Sequence, residues 1–122
     1  MRLYVKLEKD NVVGDFMLDS GASDSSMTLD FAKSIQVTWT PFEPPTKVLV
    51  ANGDFLFSPG FYEGIPVRSG EASFGIGGII LEGQDHAGML GIDWLRFYNP
   101  EIDWTTGQIR IKGALLNSAF QE

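Results

Sequence analysis

Phe16-Met17-Leu18-Asp19-Ser20-Gly21-Ala22-Ser23 runs an apolar strand directly into a turn of small residues, with a carboxylate at the junction. A carboxylate leaving a buried strand is costly unless it is hydrogen-bonded or paired. The residues that follow answer that need. Ser20 carries a hydroxyl, and Gly21 and Ala22 present backbone N–H groups with little side chain over them. Such a turn orients an acid and leaves it reachable. Asp-Ser-Gly also makes an ordinary Asx turn, so this stretch alone does not separate a reactive acid from a plain strand end.

Outward from this junction the chain alternates short apolar runs with turn residues. Upstream, Leu3, Val5 and Leu7 share one face of a strand, Glu8 to Asn11 form a polar turn, and Val12 to Leu18 return as the second arm of a hairpin. Downstream, Thr28 can cap one or two helical turns reaching Ser34, and Pro41, Pro44 and Pro45 impose an extended connection. Lys47 to Phe57 reads as two strands around Ala51-Asn52-Gly53-Asp54, since Asn-Gly between apolar runs is a strong hairpin signal. Strands follow at Phe61 to Val67 and Ala72 to Leu81, turning at Arg68 to Glu71. A short helix starts near Asp93 and ends before Pro100. A last hairpin spans Ile102 to Ile111, turning at Thr106-Gly107. Residues 1–112 make one domain, and 113–122 read as a C-terminal tail.

Four stretches in this order resemble one family. They are Asp19-Ser20-Gly21-Ala22-Ser23, Val48-Leu49-Val50-Ala51-Asn52-Gly53, Leu90-Gly91-Ile92-Asp93-Trp94-Leu95 and Asn99-Pro100-Glu101-Ile102-Asp103-Trp104. The succession is similar to the retropepsins, the aspartic proteases of retroviruses and LTR retrotransposons, and most of all to gypsy-type members. Each motif is weak alone; four in sequence, covering about Val5 to Ile111, are specific. The resemblance implies an all-β, closed β-barrel-like retropepsin (acid protease) fold with one short helix near the C-terminus. It implies an aspartic endopeptidase of a retroelement-type polyprotein, working as a homodimer on peptide or polyprotein substrates. Asp19 of each copy would be catalytic, the two carboxylates meeting on a two-fold axis and sharing one proton. Ser20, Gly21 and Ala22 would support the site, and Ala51, Asn52, Gly53 and Asp54 would form a flap over the peptide. Neither metal nor cofactor is implied. A cytoplasmic setting, including virus-like particles, would suit such a protein.

The chain departs from viral members in one respect. They carry an acid two residues after the motif glycine, paired with an arginine after the later glycine; here those places hold Ser23 and Ile92. Gly75-Ile76-Gly77-Gly78 resembles a viral flap tip in composition, but too few residues separate it from Gly91 for the strands expected between them. It reads instead as a strand irregularity or bulge.

The remaining composition bounds other functions. A net charge of −7 repels phosphate backbones and speaks against nucleic-acid binding. No cysteine is present, which removes disulfides and thiolate metal sites and fits a reducing compartment. No apolar run is long enough to cross a bilayer, and a strand-like segment rather than a leader opens the chain. His86, the only histidine, sits among polar residues as in a surface loop. Asp93 and Asp103 each precede a tryptophan where a cap or turn is expected. Asp24 and Asp30 match no calcium-loop spacing. Trp94, Trp104 and Phe97 read as core or dimer contacts. A two-carboxylate glycosidase needs two acid sites in one chain, and one is found. The alternative from another class is a retroelement-derived dimerisation or peptide-binding module that has lost proteolysis.

Overall fold

The computed structural model describes residues 2–121. The first two strands, β1 (Arg2–Lys9) and β2 (Val12–Leu18), form the expected antiparallel hairpin. Its turn places Asp10 and Asn11 at φ 52° and 67°, the two-residue geometry whose twist matches paired strands. Leu3, Val5 and Leu7 are buried on one face; Tyr4 is buried too, its ring meeting His86 edge-on at 4.9 Å. His86 is thus half-buried against β1 rather than free on a loop.

Next come β3 (Ser26–Met27) and a helix, α1 (Leu29–Ser34). Thr28 caps the helix by accepting from the Phe31 N–H at 3.1 Å. Phe31 and Ala32 face the core, where Phe31 meets Phe16 edge-to-face at 5.4 Å. This helix stands where Thr28 was expected to cap one or two helical turns, in addition to the short helix expected near the C-terminus.

The middle of the chain is a long meander: β4 (Thr40–Leu49), β5 (Phe55–Ser69) and β6 (Ala72–Ile80). Pro41, Pro44 and Pro45 fall inside β4, with a register shift between Pro41 and Thr46. This strand ends the sheet order, where missing N–H donors cost least. Phe55 to Ser69 is one continuous strand; the break expected near Pro59 does not occur. At the β5–β6 turn Gly70 takes φ +57°, and a side chain there would strike the Leu115 carbonyl.

Then follow β7 (Gly88–Leu90), α2 (Ile92–Tyr98), β8 (Glu101–Ile102), β9 (Ile109–Ile111), β10 (Ala114–Leu115) and β11 (Ser118–Gln121). Eight strands pair in the order β11-β1-β2-β7-β3-β6-β5-β4, and β1 also meets β5 at Glu8 and Arg68, which closes the sheet on itself. A small sheet, β10-β9-β8, lies beside it. Val5, Leu7, Phe16, Met27, Ile35, Ile80, Leu90 and Ile109 fill the interior.

The segment read as a tail is corrected. Residues 114–121 hold two strands, with β11 pairing Ser118 to Gln121 against Val5 to Arg2. Leu116 is 3% exposed and belongs to the core. The Lys6 N–H donates to the Asn117 carbonyl at 2.8 Å, and the Leu116 N–H to that of Ile109 at 2.9 Å. Two elements of two and four residues are too short to show a hydrophobic period, so partners supplied by β1 and β9 decide their structure. Glu122 lies outside the described residues.

Candidate active site

Parallel pairing of β2 with β7 matches Met17 to Met89 and Leu18 to Leu90. It brings the Asp19 turn and the Gly91 turn side by side. The Asp19 N–H donates to the Leu90 carbonyl at 3.0 Å, so the last bond of this pairing fixes the acid's own backbone. Within the turn the Gly21 N–H donates to Asp19 Oδ1 at 2.9 Å, and the Ala22 N–H to the Asp19 carbonyl at 3.1 Å. A Cβ on Gly21 would lie 3.2 Å from Oδ1, crowding that bond. Asp19 is half-buried while Ser20 and Gly21 are exposed. The acid is thus oriented by the backbone yet accessible, as its position in the sequence suggests.

The two turns are locked together. The Ile92 N–H donates to the Ala22 carbonyl at 2.8 Å. A Cβ on Gly91 would stand 2.6 Å from that same oxygen and 3.0 Å from the Asp24 carbonyl, so only glycine permits this approach. Ser25, 1% exposed, was not singled out by sequence reasoning. Its Oγ–H donates to Asp93 Oδ1 at 2.7 Å and its N–H to Asp93 Oδ2 at 3.1 Å, while its Oγ accepts from the Gly91 N–H at 3.0 Å. Asp93 also accepts from the Trp94 N–H at 2.7 Å. Here Asp93 and Ser25 make the side-chain tie, while the Ser23 hydroxyl donates to Asp24 Oδ2 at 3.4 Å. Nothing in the sequence separates Ser25 from its hydroxyl neighbours Ser20, Ser23 and Ser26.

Tyr62 of β5 is buried, and its hydroxyl has no partner among the described residues. Burial, and then the negative charge of Asp93, push its phenol far above the usual range, so it stays protonated. Gly78 lets β6 pass against the Ser25 carbonyl, which accepts from the Ile79 N–H at 3.0 Å. The irregularity expected at Gly75 to Gly78 is present opposite that stretch. The register shifts between Tyr62 and Ile65, which puts the extra residue on β5, where Gly64 has φ +65°.

The Ala51 to Asp54 segment forms the tip of the β4–β5 hairpin. Val50 N–H donates to the Asp54 carbonyl at 2.9 Å and Gly53 N–H to that of Val50 at 3.0 Å. Asn52 Oδ1 accepts from the Asp54 N–H at 2.9 Å, and its amide donates to Asp54 Oδ2 at 3.1 Å. Among the described residues no hydrogen bond joins this tip to the Asp19 turn, so Asp19 to Ala22 are brought together and Ala51 to Asp54 form a separate group. Trp94 is core; Phe97 and Trp104 are exposed. Asp103 builds a turn, accepting from the Thr105 and Thr106 N–H groups at 2.9 and 3.3 Å. Two shallow clefts, one beside Glu8 to Asn11 and one between Gly75 and Phe97, do not include Asp19.

A closed barrel with an Asp-Ser-Gly turn held against a second glycine turn defines a retropepsin-like protease domain. The chain belongs to the PEG10/RTL1 protease domain family, whose sequence pattern matches residues 15–118. A sequence comparison with curated proteins returns no match. Among solved structures, the retroviral protease-like domain of Ddi1 from Leishmania major superposes with a TM-score of 0.78 at 18% identity, covering 99% of this chain and 96% of that one. A retropepsin-like aspartic protease from Rickettsia conorii gives 0.55 at 21% identity, covering 96% and 82%. At these identities the likeness is one of fold. It agrees with the family that the sequence motifs indicated.

Proposed function

We propose that the chain is an aspartic endopeptidase of a retroelement-type polyprotein, active as a homodimer with one Asp19 from each copy. The observation that carries this reading is the Asp19 turn: a carboxylate aimed by the Gly21 N–H, on backbone pinned to Leu90, and open to solvent. One chain supplies one such acid, so a two-carboxylate site needs a second copy. Two carboxylates meeting on the axis retain one proton between them. The ionised one takes a proton from a water held between the pair, and the resulting oxygen attacks the scissile carbonyl carbon. The protonated one gives its proton to the carbonyl oxygen, and collapse of the diol expels the amine after proton transfer to nitrogen. Ser20, exposed beside Asp19, would bond across the axis. The β4–β5 hairpin would close over an extended peptide through Ala51 to Asp54.

Asp19→Asn is the test. The amide is nearly isosteric and its Oδ1 still accepts from Gly21, so the fold should survive. Peptide cleavage by the purified variant should fall below a few per cent of wild type and wild-type cleavage should be blocked by pepstatin. Retention of turnover would show that Asp19 is not catalytic. A wild-type protein that dimerises but cuts no peptide would favour the non-proteolytic module.

A further inference from the structure

We infer that Asp93 is a positioning residue, its carboxylate holding the Asp19 backbone in place through Ser25 and the Leu90–Gly91 peptide. The relay has a fixed direction. Asp93 receives three donors, the Ser25 N–H, the Ser25 Oγ–H and the Trp94 N–H, so both of its oxygens act as acceptors. That commits the single hydroxyl hydrogen of Ser25 to Asp93 and leaves an Oγ lone pair for the Gly91 N–H. The Gly91 N–H and the Leu90 carbonyl belong to one planar peptide unit. The Leu90 carbonyl accepts from the Asp19 N–H. Rotating that one plane breaks both bonds, and bonds in such a chain polarise one another.

An acid in the first turn of α2 needs none of this: the Trp94 contact alone would make Asp93 an ordinary helix-start residue. What sets it apart is the pair of bonds to Ser25, a side chain 1% exposed and distant in sequence. The junction also has no slack. Gly91 is pressed on the Ala22 and Asp24 carbonyls, and Gly78 on that of Ser25. A displaced Ser25 therefore moves the floor under the Asp19 turn.

The kinetic side of this inference rests on the proposed proteolysis; the backbone side does not. Amide hydrogen exchange and peptide cleavage would be measured on wild type, Asp93→Asn and Ser25→Ala. An asparagine offers one acceptor oxygen and turns an NH₂ toward N–H donors, so the relay fails with little change in volume. Protection of the Asp19 and Gly91 amides should drop about tenfold or more, equal to about 1.4 kcal/mol, while the Val5 and Leu7 amides keep theirs. kcat should fall about tenfold with KM within about twofold, as for a loss felt mainly in the transition state. The double variant should be no worse than the more damaged single one, since both break one chain. Unchanged exchange at Asp19 and Gly91, equal loss of protection throughout the barrel, or additive effects of the two substitutions would each overturn the inference. Should Asp93→Asn not fold, Ser25→Ala tests the same link by the same exchange measurement. A wild type without peptidase activity would sink the proteolytic reading alone, because the exchange result stands apart from it.

Discussion

Replacing Leu116 by alanine is the sharpest test of whether the C-terminal segment is part of the barrel. The side chain is 3% exposed and packed in the core, and its N–H bonds to Ile109 while the next residue bonds to Lys6 and Ser69. Truncating a leucine in such a setting costs about 2–5 kcal/mol, the spread reflecting how far the site collapses. Against a total stability of about 5–15 kcal/mol for a domain, that is a large share. For a chain of this length about 3 kcal/mol corresponds to a loss of roughly 10–15 °C in Tm. Thermal melts and urea titrations would measure it, at two protein concentrations because association also stabilises. The urea midpoint should fall with the slope unchanged. Phe97→Ala, at a side chain 80% exposed, serves as the control and should stay within about 0.5 kcal/mol. A Leu116→Ala protein melting within about 2 °C of wild type at both concentrations would contradict the expected scale and return residues 113–121 to the status of a tail.

Three further outcomes are expected. Gly53→Val should lower kcat/KM with little change in Tm, because Gly53 has φ +87° at an open tip and the strain is local; unchanged kinetics, with damage from changes at Gly77 instead, would move the flap elsewhere. Asp103 should lend stability at neutral pH that is lost in acid. The Thr105 and Thr106 backbone N–H groups lower its pKa in the folded state, so its contribution is present above the unfolded value and disappears as pH falls through the folded one. Melts of Asp103→Asn and wild type should therefore converge as pH falls below the reference carboxyl range; a constant difference at all pH would refute this. Peptidase activity should fall faster than linearly on dilution and recover with added salt, which screens the repulsion between two copies of charge −7; full activity of a sedimenting monomer would end the dimer reading.

Much of the barrel was legible because its strands announce themselves locally. Leu3, Val5 and Leu7 alternate, Asp10-Asn11 suits a turn with positive φ, and Asn52-Gly53 marks a hairpin tip. Phe16 to Ala22 carried the site in one stretch, since strand, acid and turn are contiguous. What was not legible depends on distant partners. Ser25 looks like any hydroxyl residue until Asp93 arrives from α2. β10 and β11 have no pattern of their own and form because β9 and β1 offer edges. Pro59 falls between two expected strands, yet β5 runs through it, pairing with β4 up to Phe61 and with β6 from Phe61 onward, so partners outweigh local preference. The bulge was expected from the glycines of β6 but sits on β5; a run of glycines marks where backbones come close, not which strand carries the extra residue.

The two parts of the proposed site are built to different standards of rigidity, and the hydrogen bonds show why. The Asp19 turn is held from outside itself, by Leu90, by Ile92 through Ala22, and by the Asp93–Ser25 tie, all anchored on the buried β2–β7–β3 junction. Moving it requires breaking both bonds to residues 90–92 as well as those within the turn. Among the described residues the Ala51 to Asp54 tip is held by bonds within Val50 to Asp54, and nothing lies within 4 Å of where a Gly53 side chain would be. Leu49, Phe55 and Phe57 behind it are exposed. Segments with few outside contacts open at low free-energy cost. Chemistry on a peptide bond needs the carboxylates fixed to within a fraction of an ångström, whereas admitting a peptide needs the cover to move. One barrel meets both demands by placing the acid where two turns interlock and the proposed cover at the end of an edge hairpin.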